Sequence, residues 1–298
     1  MLLYYDKIII GDNMNDIIDA FHTLYDEEVI SVEETRCSQN KVYLLTTDVY
    51  KYIVKKFVDS SDDAIKERNE QLRISRIWDD NNIRCVQPLS NIFLNNGYYY
   101  IIYPYLEGLN LDEGELNLEQ IKTLAKLQAK IHLMNIDTTL PCHIKELDYT
   151  NTEIQKVINA CNNSVEDANN HLCVCNNDFK PLNILWKDDK PYMLDFDAVY
   201  LNNPTYSLVE SAYTFCHSGN ELNLDYFREY VKEYKNEYGK KIEDIDGAVY
   251  GAWNGKIQWL KYLEENRPND PGIKELTEQM SNYQKYVNDI LDILEQEY

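Results

Sequence analysis

The sequence predicts an α+β protein of two lobes. Short β-branched and aromatic runs are concentrated in the first hundred residues, and helical periodicity dominates after residue 117. A stretch with two glycines, 105–114, separates these patterns. A chain of 298 residues also exceeds the usual size of one hydrophobic core. We therefore divide it into an N-terminal lobe with hinge, 1–107, and a C-terminal lobe, 108–298.

The N-terminal lobe is expected to hold an antiparallel sheet and one long helix. A first short helix is predicted over Asp12–Tyr25, from apolar residues at helical spacing. Strands are predicted at Val42–Leu45, Lys51–Phe57 and Tyr98–Tyr103, which are bordered by Asp, Asn or Gly. The long helix is Ser61–Asp79, an amphipathic segment that ends in an Asp-Asp-Asn-Asn turn.

The C-terminal lobe is expected to be mostly helical, with one β-hairpin insert. Helices are predicted over Leu118–Met134, Thr150–Asn162 and much of the last 80 residues. The insert covers 172–197, where two apolar strand-like runs flank a polar loop.

Composition limits the classes of function. The sequence has no run of about 18 apolar residues and no signal-peptide pattern, so we expect a cytoplasmic protein without a membrane span. A net charge of −22 disfavours nucleic acid or anionic lipid as a partner. It is compatible with a cationic small-molecule partner, and equally with a simple role in solubility. The chain is expected to be a monomer or weak dimer.

The seven cysteines are expected to be reduced and mostly buried. Only Cys173 and Cys175 are close in sequence, and their spacing suits neither a zinc knuckle nor a redox Cys-x-x-Cys motif.

The insert carries residues suited to phosphoryl transfer. This reaction needs a carboxylate that accepts the proton of the attacking hydroxyl, and oxygen ligands for Mg²⁺. Asp178 and Asn183 stand at the two ends of one loop, and Asp195 follows the next strand. Their side chains can converge on one point. The alternative for the first two is a capped turn without catalytic function.

The insert resembles the aminoglycoside phosphotransferase and choline kinase superfamily, which has a protein-kinase-like fold. The segment CNNDFKPLNILW is similar to the family's H-G-D-x-x-P-x-N-I-L loop, and MLDFDA to its metal-binding strand. LAKLQAKIH (124–132) and YIIYPYLEG (100–108) resemble its first C-lobe helix and its hinge. The resemblance implies that Asp178 is the catalytic base and that Asn183 and Asp195 bind Mg²⁺. Asp197 would complete the metal shell or order the loop.

The same resemblance implies a nucleotide site in the N-terminal lobe. Lys55 would contact the phosphates of ATP or GTP and pair with Glu70, or with Glu67 one turn earlier. Lys55 could instead be a solvated strand residue, with Lys56 on the opposite face.

No glycine-rich loop precedes Lys55. Ser38 and Asn40 are candidate phosphate contacts in its place, and a plain hairpin turn is the alternative.

The hinge would contact the purine. Tyr103 stands at the gatekeeper position, and the Pro104 carbonyl and Leu106 amide would face the base. A bulky tyrosine there is compatible with GTP as well as ATP; the alternative is a tyrosine that only packs in the core.

Two family positions differ in this chain. The loop histidine is Asn176, whose amide can still make loop hydrogen bonds. The Asp of the P-x-x-D-L pattern is Ser207. These differences leave room for a pseudokinase scaffold, although the residues predicted to bind the metal and activate the hydroxyl are retained.

The sequence thus predicts a small-molecule kinase that transfers the γ-phosphoryl group of Mg-ATP or Mg-GTP to a hydroxyl. The acceptor is expected to be cationic, foremost an aminoglycoside-type antibiotic, which implies a role in antibiotic resistance. Alternatives are a choline, sugar or amino-alcohol kinase and a spore-coat-type kinase. By the resemblance, four carboxylates lie in regions that wall the acceptor cleft: Glu210, Glu264, Glu265 and Asp270. Each could instead be a solvated surface charge.

Overall fold

The computed structural model describes residues 14–35, 40–111, 115–218 and 221–297. The chain forms two compact units. The first unit contains the residues up to Asn110 together with Leu185–Leu194, and the second contains Leu111–Ile184 and the residues from Asp195 onward. The hairpin that follows the predicted catalytic loop therefore belongs to the first unit, although its sequence lies deep inside the second.

Among the described residues, the first part of the chain forms mainly strands and the later part mainly helices, as the sequence patterns predict. The helices are α1 (Asn15–His22), α2 (Asp62–Asp80), α3 (Leu118–Leu133), α4 (Gln155–Asn163), α5 (Val165–Ala168), α6 (Pro204–Cys216), α7 (Leu224–Tyr238), α8 (Ile245–Gly251), α9 (Asn254–Asn266), α10 (Pro271–Tyr283) and α11 (Val287–Glu297). The strands are β1 (Val29–Glu34), β2 (Lys41–Thr47), β3 (Lys51–Lys56), β4 (Phe93–Asn95), β5 (Tyr98–Pro104), β6 (Leu109–Asn110), β7 (Cys173–Asn176), β8 (Ile184–Lys187), β9 (Lys190–Met193), β10 (Val199–Asn202), β11 (His217–Ser218) and β12 (Glu221–Leu222).

An antiparallel sheet forms the core of the first unit. Its described strands follow the order β1-β2-β3-β5-β4, so β3 is central. The alternating apolar residues of β2, β3 and β5 put one face against α1, where Phe21, Leu45, Val54 and Tyr100 are buried. The predicted α+β class is confirmed, and β1 and β4 are additions to the three strands that the sequence predicted.

Helix α2 begins and ends close to the predicted residues. Ser61 caps it, because its hydroxyl accepts a hydrogen bond from the Ala64 amide and so satisfies one of the free donors of the first turn. Leu72, Ile74 and Trp78 are buried along one face. Polar residues occupy the other face, so the helix is amphipathic as predicted.

A second sheet in the first unit joins the chain after the hinge to the hairpin β8–β9. β6 pairs antiparallel with β8, and Leu109 lies opposite Trp186. Gly108 is needed for this close approach, because a Cβ there would lie 2.7 Å from Leu185 Cγ and 2.8 Å from the Trp186 carbonyl oxygen.

Helices form the bulk of the second unit. Asn117 and Gln120 make a capping box at the start of α3, which packs against α7. Nearly every residue of α6 is buried at the centre of the unit. Ser207 of α6 is among them, and Gln128 Nε2 donates to its carbonyl oxygen over 2.9 Å. The residue that departs from the family pattern is thus held inside the helical core.

The described residues contain no helix long and apolar enough to cross a membrane.

Candidate active site

The catalytic loop begins where β7 ends. β7 pairs antiparallel with β10, and the Asn177 amide donates to the Ala198 carbonyl oxygen over 2.9 Å, which fixes the start of the loop. Asn176 Oδ1 accepts a hydrogen bond from the Asp178 amide at 3.0 Å. The expectation that Asn176 can make a loop hydrogen bond in place of histidine is therefore confirmed.

Asp178 is held on both oxygens of its carboxylate. Asn183 Nδ2 donates to Oδ2 over 2.7 Å, and the Lys180 ammonium lies 2.7 Å from Oδ1. Desolvation raises the pKa of Asp178, and Asp195 raises it further, whereas Lys180 lowers it. The side chain keeps 39% of its surface exposed. The structure thus brings Asp178 together with Asn183 and, within electrostatic range, with Asp195.

Asp195 has an unusual backbone conformation. Its φ is +52°, in the left-handed region that Asp and Asn tolerate better than other side chains. Its Oδ1 accepts a hydrogen bond from the Asp197 amide at 3.2 Å, so the two predicted metal-binding carboxylates belong to one tight turn. Backbone conformations of this kind are often found at functional sites.

Glu210 is the one acceptor-site candidate that the structure connects electrostatically to Asp178. Desolvation raises the pKa of Glu210 to about 8; Asp178 also raises it, and Lys256 and Lys180 lower it. The Lys256 ammonium lies 5.0 Å from the centre of the Trp253 ring and 3.3 Å from Thr214 Oγ1. These contacts place a carboxylate, an ammonium and an aromatic ring in one small cluster.

The other three acceptor-site candidates take part in local structure. Glu264 accepts hydrogen bonds from the Tyr149 hydroxyl at 2.8 Å and from Asn151 Nδ2 at 3.3 Å. Glu265 is exposed, 3.9 Å from Lys261 on the same helix. Asp270 caps α10 through the Gly272 amide. Their proposed contact with an acceptor stays a prediction.

In the first unit, the two neighbouring lysines of β3 differ as strand alternation predicts. Lys55 is 5% exposed, between Val42 of β2 and Ile101 of β5. Lys56, on the opposite face, forms an ion pair with Asp16 and lies over the Tyr98 ring. Lys55 is therefore not a solvated strand residue. Its contact with phosphate stays a prediction.

The remaining nucleotide-site candidates lie on different elements of the first unit. Two hydrogen bonds of 2.7 Å join Glu70 to Arg73, so its carboxylate already binds one cation. Asn40 is buried, and its Oδ1 accepts a hydrogen bond from the Val58 amide at 3.2 Å. Ser38 lies outside the described residues.

At the hinge, the half-buried Tyr103 packs against a cluster of Phe57, Leu72 and Ile101. This contact fits the alternative of a core tyrosine. Pro104 ends β5 opposite Tyr52, and Leu106 follows it outside the sheet.

Sequence reasoning missed Lys180 and Lys256. Lys180 stands inside the loop motif, two residues after Asp178, and that proximity was an available signal. Lys256 is far from the loop in sequence, and only the packing of α6 and α9 residues around Glu210 reveals it.

Comparisons with known proteins bear on the fold and the family of the chain. No curated protein sequence matches the chain significantly. The fold is similar to a crystal structure of spectinomycin phosphotransferase bound to ADP and spectinomycin (TM-score 0.65, 14% identity, 95% of this chain and 98% of that chain covered). It is also similar to choline kinase from Streptococcus pneumoniae (TM-score 0.66, 19% identity, 94% and 99% covered) and to Plasmodium vivax ethanolamine kinase (TM-score 0.58, 14% identity, 97% and 88% covered).

These identities are too low to transfer a substrate, and the likeness shows the protein-kinase-like fold that the sequence predicted. The family follows from the sequence itself. A model of the phosphotransferase enzyme family matches residues 37–240, more than half of the chain and the whole catalytic loop. Because this match covers more than half of the chain, the chain belongs to the phosphotransferase enzyme family.

Proposed function

We propose that the protein transfers the γ-phosphoryl group of a nucleoside triphosphate to a hydroxyl of a small, cationic acceptor, with Asp178 as the base. The observation that carries this proposal is the double anchoring of the Asp178 carboxylate by Asn183 and Lys180. A carboxylate fixed on both oxygens is oriented before the acceptor arrives, which lowers the entropic cost of reaching a reactive geometry.

In this mechanism, Asp178 accepts the proton of the attacking hydroxyl as the new oxygen–phosphorus bond forms. The bond between the γ-phosphorus and the β–γ bridging oxygen breaks, and the nucleoside diphosphate leaves with that oxygen. Desolvation raises the pKa of Asp178, which makes it a better proton acceptor than an ordinary surface aspartate. The Lys180 ammonium, beside the carboxylate, offsets the negative charge that would otherwise repel the incoming phosphate.

The residues present fit Mg²⁺. Asn183, Asp195 and Asp197 offer amide and carboxylate oxygens, which are the ligands this cation prefers. The repulsion between Asp178 and Asp195 indicates negative charge that a divalent cation would offset. When bound, Mg²⁺ would neutralise phosphate charge. Lys55 is proposed to contact the phosphates of ATP or GTP, and Glu70 or Glu67 to orient it.

Glu210 supports a cationic acceptor, because a bound ammonium would favour the ionised form of this carboxyl group, whose pKa burial raises to about 8. An aminoglycoside-type antibiotic is the leading class, with Glu264, Glu265 and Asp270 as further proposed contacts. A choline or amino-alcohol kinase is the second candidate. The observation that favours it is aromatic: the buried rings of Tyr213, Trp253 and Tyr283 pack together near Glu210, and an ammonium group, that of Lys256, already lies over the Trp253 ring.

A turnover assay with ATP and GTP tests the proposal. The acceptors are a panel of aminoglycosides, choline, ethanolamine, amino alcohols and neutral sugars. We expect Mg²⁺-dependent turnover with a cationic acceptor that is lost in Asp178→Ala. Nucleotide binding without turnover of any acceptor would favour the pseudokinase scaffold, and turnover confined to neutral sugars would contradict a cationic acceptor.

A further inference from the structure

A cluster of possible metal ligands lies on the strand that leads into the catalytic loop. His132 of α3 and Cys173 and Cys175 of β7 each offer one donor atom, and these atoms lie within 4.8 Å of one another. The two sulfur atoms are 3.5 Å apart. Residues two apart on a strand point to the same side, so the Cys-x-Cys spacing places both thiols toward the helix that carries His132.

The histidine is oriented as metal-binding histidines usually are. Its Nδ1 lies 2.7 Å from the hydroxyl of the buried Tyr234, a contact that fixes the ring. The second nitrogen is then the one left to bind an ion.

A cavity of about 370 Å³ adjoins the cluster. His132 and Cys173 line it, and so do His171 and Glu243, where His171 Nε2 lies 2.7 Å from Glu243 Oε2. A metal held by the cluster would therefore have room for a water molecule or a small ligand at its fourth position.

We propose that His132, Cys173 and Cys175 form a binding site for a thiophilic divalent cation, foremost Zn²⁺, separate from the proposed Mg²⁺ site and going beyond the proposed phosphotransfer. Tetrahedral zinc with about 2.3 Å bonds to sulfur and about 2.0 Å bonds to nitrogen places its ligand atoms about 3.5–3.8 Å apart. The sulfur separation of 3.5 Å fits this geometry without a large movement of the strand.

The charges of the site balance. Binding of one Zn²⁺ forms two zinc–sulfur bonds, breaks two S–H bonds and releases both protons to solvent. Two thiolates and one Zn²⁺ then sum to zero, which suits a buried position.

The bound cation would join the C-terminal end of α3 to β7. Asn176 and Asp178 follow Cys175 directly along the chain, so the site would also fix the strand from which the catalytic loop starts.

The test titrates the full-length, reduced protein with Co²⁺, followed by competition with Zn²⁺. We expect one Co²⁺ per chain, with the charge-transfer absorption of two thiolates and the intense visible bands of tetrahedral cobalt, both abolished by Zn²⁺. Cys173→Ser should weaken binding by at least about 100-fold, because it removes a direct ligand. Cys85→Ser, which changes a buried cysteine of the first unit, should bind as the wild type does.

Zn²⁺ should also raise the melting temperature of the wild type and leave that of Cys173→Ser unchanged. The absence of thiolate charge transfer in the wild type would overturn the proposal without any variant. Bands that persist in a folded Cys173→Ser protein would overturn it as well, because the cation would then lie elsewhere.

Discussion

Carboxylates occur in two settings in the second unit, and the settings give them different roles. In the catalytic loop, Asn183 and Lys180 hold Asp178, desolvation raises its pKa, and Asp195 has a left-handed backbone. On the later helices, Glu265 and Asp270 support an exposed ion pair and a helix cap. Acidity alone therefore does not indicate a site. The surroundings of a carboxylate are more informative. Glu210 resembles Asp178 in this respect, because desolvation raises the pKa of both side chains.

The largest effect is expected from the loop. Asp178→Ala should lower kcat by about 10²–10⁴-fold, because it removes the proton acceptor, and should leave nucleotide affinity nearly intact. Glu278→Ala, an exposed change on α10, serves as the control. Steady-state kinetics and nucleotide titration measure both quantities, and wild-type kcat in Asp178→Ala would remove the base assignment.

Asp195→Asn should weaken Mg²⁺-dependent nucleotide binding by more than about tenfold, or 1.4 kcal/mol, and should lower turnover as well. Asparagine tolerates the positive φ of this position, so the change removes charge with little added backbone strain. Nucleotide titrations with and without Mg²⁺ measure the effect. If the effect of Mg²⁺ on nucleotide affinity were unchanged in the variant, Asp195 would not be a metal ligand.

A direct comparison of Glu210 with Glu265 tests the acceptor side. Glu210→Gln should raise KM for a cationic acceptor by about three- to tenfold, because a partly buried carboxylate interacts with an ammonium more strongly than an exposed one does. Glu265→Gln should have a smaller effect. Steady-state kinetics measures both KM values. Equal increases in KM in the two variants would instead support the sequence-based expectation that all four carboxylates line the acceptor cleft.

The smallest effect concerns stability. The pKa of Glu210 rises from 4.5 to about 8 on folding, so the folded protein binds more protons than the unfolded chain between these values. Its contribution to stability is therefore complete below pH 4.5 and declines as pH rises toward 8. Glu210→Gln should match the wild type at pH 5 and exceed it at pH 8.5 by on the order of 1 kcal/mol, since the carboxylate is partly exposed.

Urea denaturation at the two pH values measures this difference in the free energy of unfolding. A constant difference between variant and wild type would show that Glu210 does not titrate in this window.

The elements of regular structure were predictable from local patterns. Apolar periodicity predicted α2 and α3 to within one or two residues, and strand alternation separated Lys55 from Lys56. The strand β1 was harder to identify because most of its residues are exposed or half-buried, and β4 has only three residues. Such short or solvated strands are defined by their partners more than by their own sequence.

The catalytic loop was predictable from its motif, and its electrostatics were not. The spacing of Asp178 and Asn183 suggested that they meet, and the structure joins them. The ion pair of Lys180 with Asp178 depends on the side-chain conformation of Lys180, which the sequence does not specify. The cluster of Glu210 with Lys256 depends on how α6 and α9 pack. The metal-ligand cluster was missed for the same reason, since His132 is distant from Cys173 in sequence.

The pairing of β6 with β8 bears on how the chain folds during synthesis. The first unit includes Leu185–Leu194, which the ribosome adds only after the long segment 111–184. At typical translation rates, the unit waits roughly 4–17 s for its last two strands. A fragment that stops after Asn110 would leave Gly108 and Leu109 without the hairpin they pack against. We therefore expect the nascent first unit to depend on chaperones until the hairpin emerges.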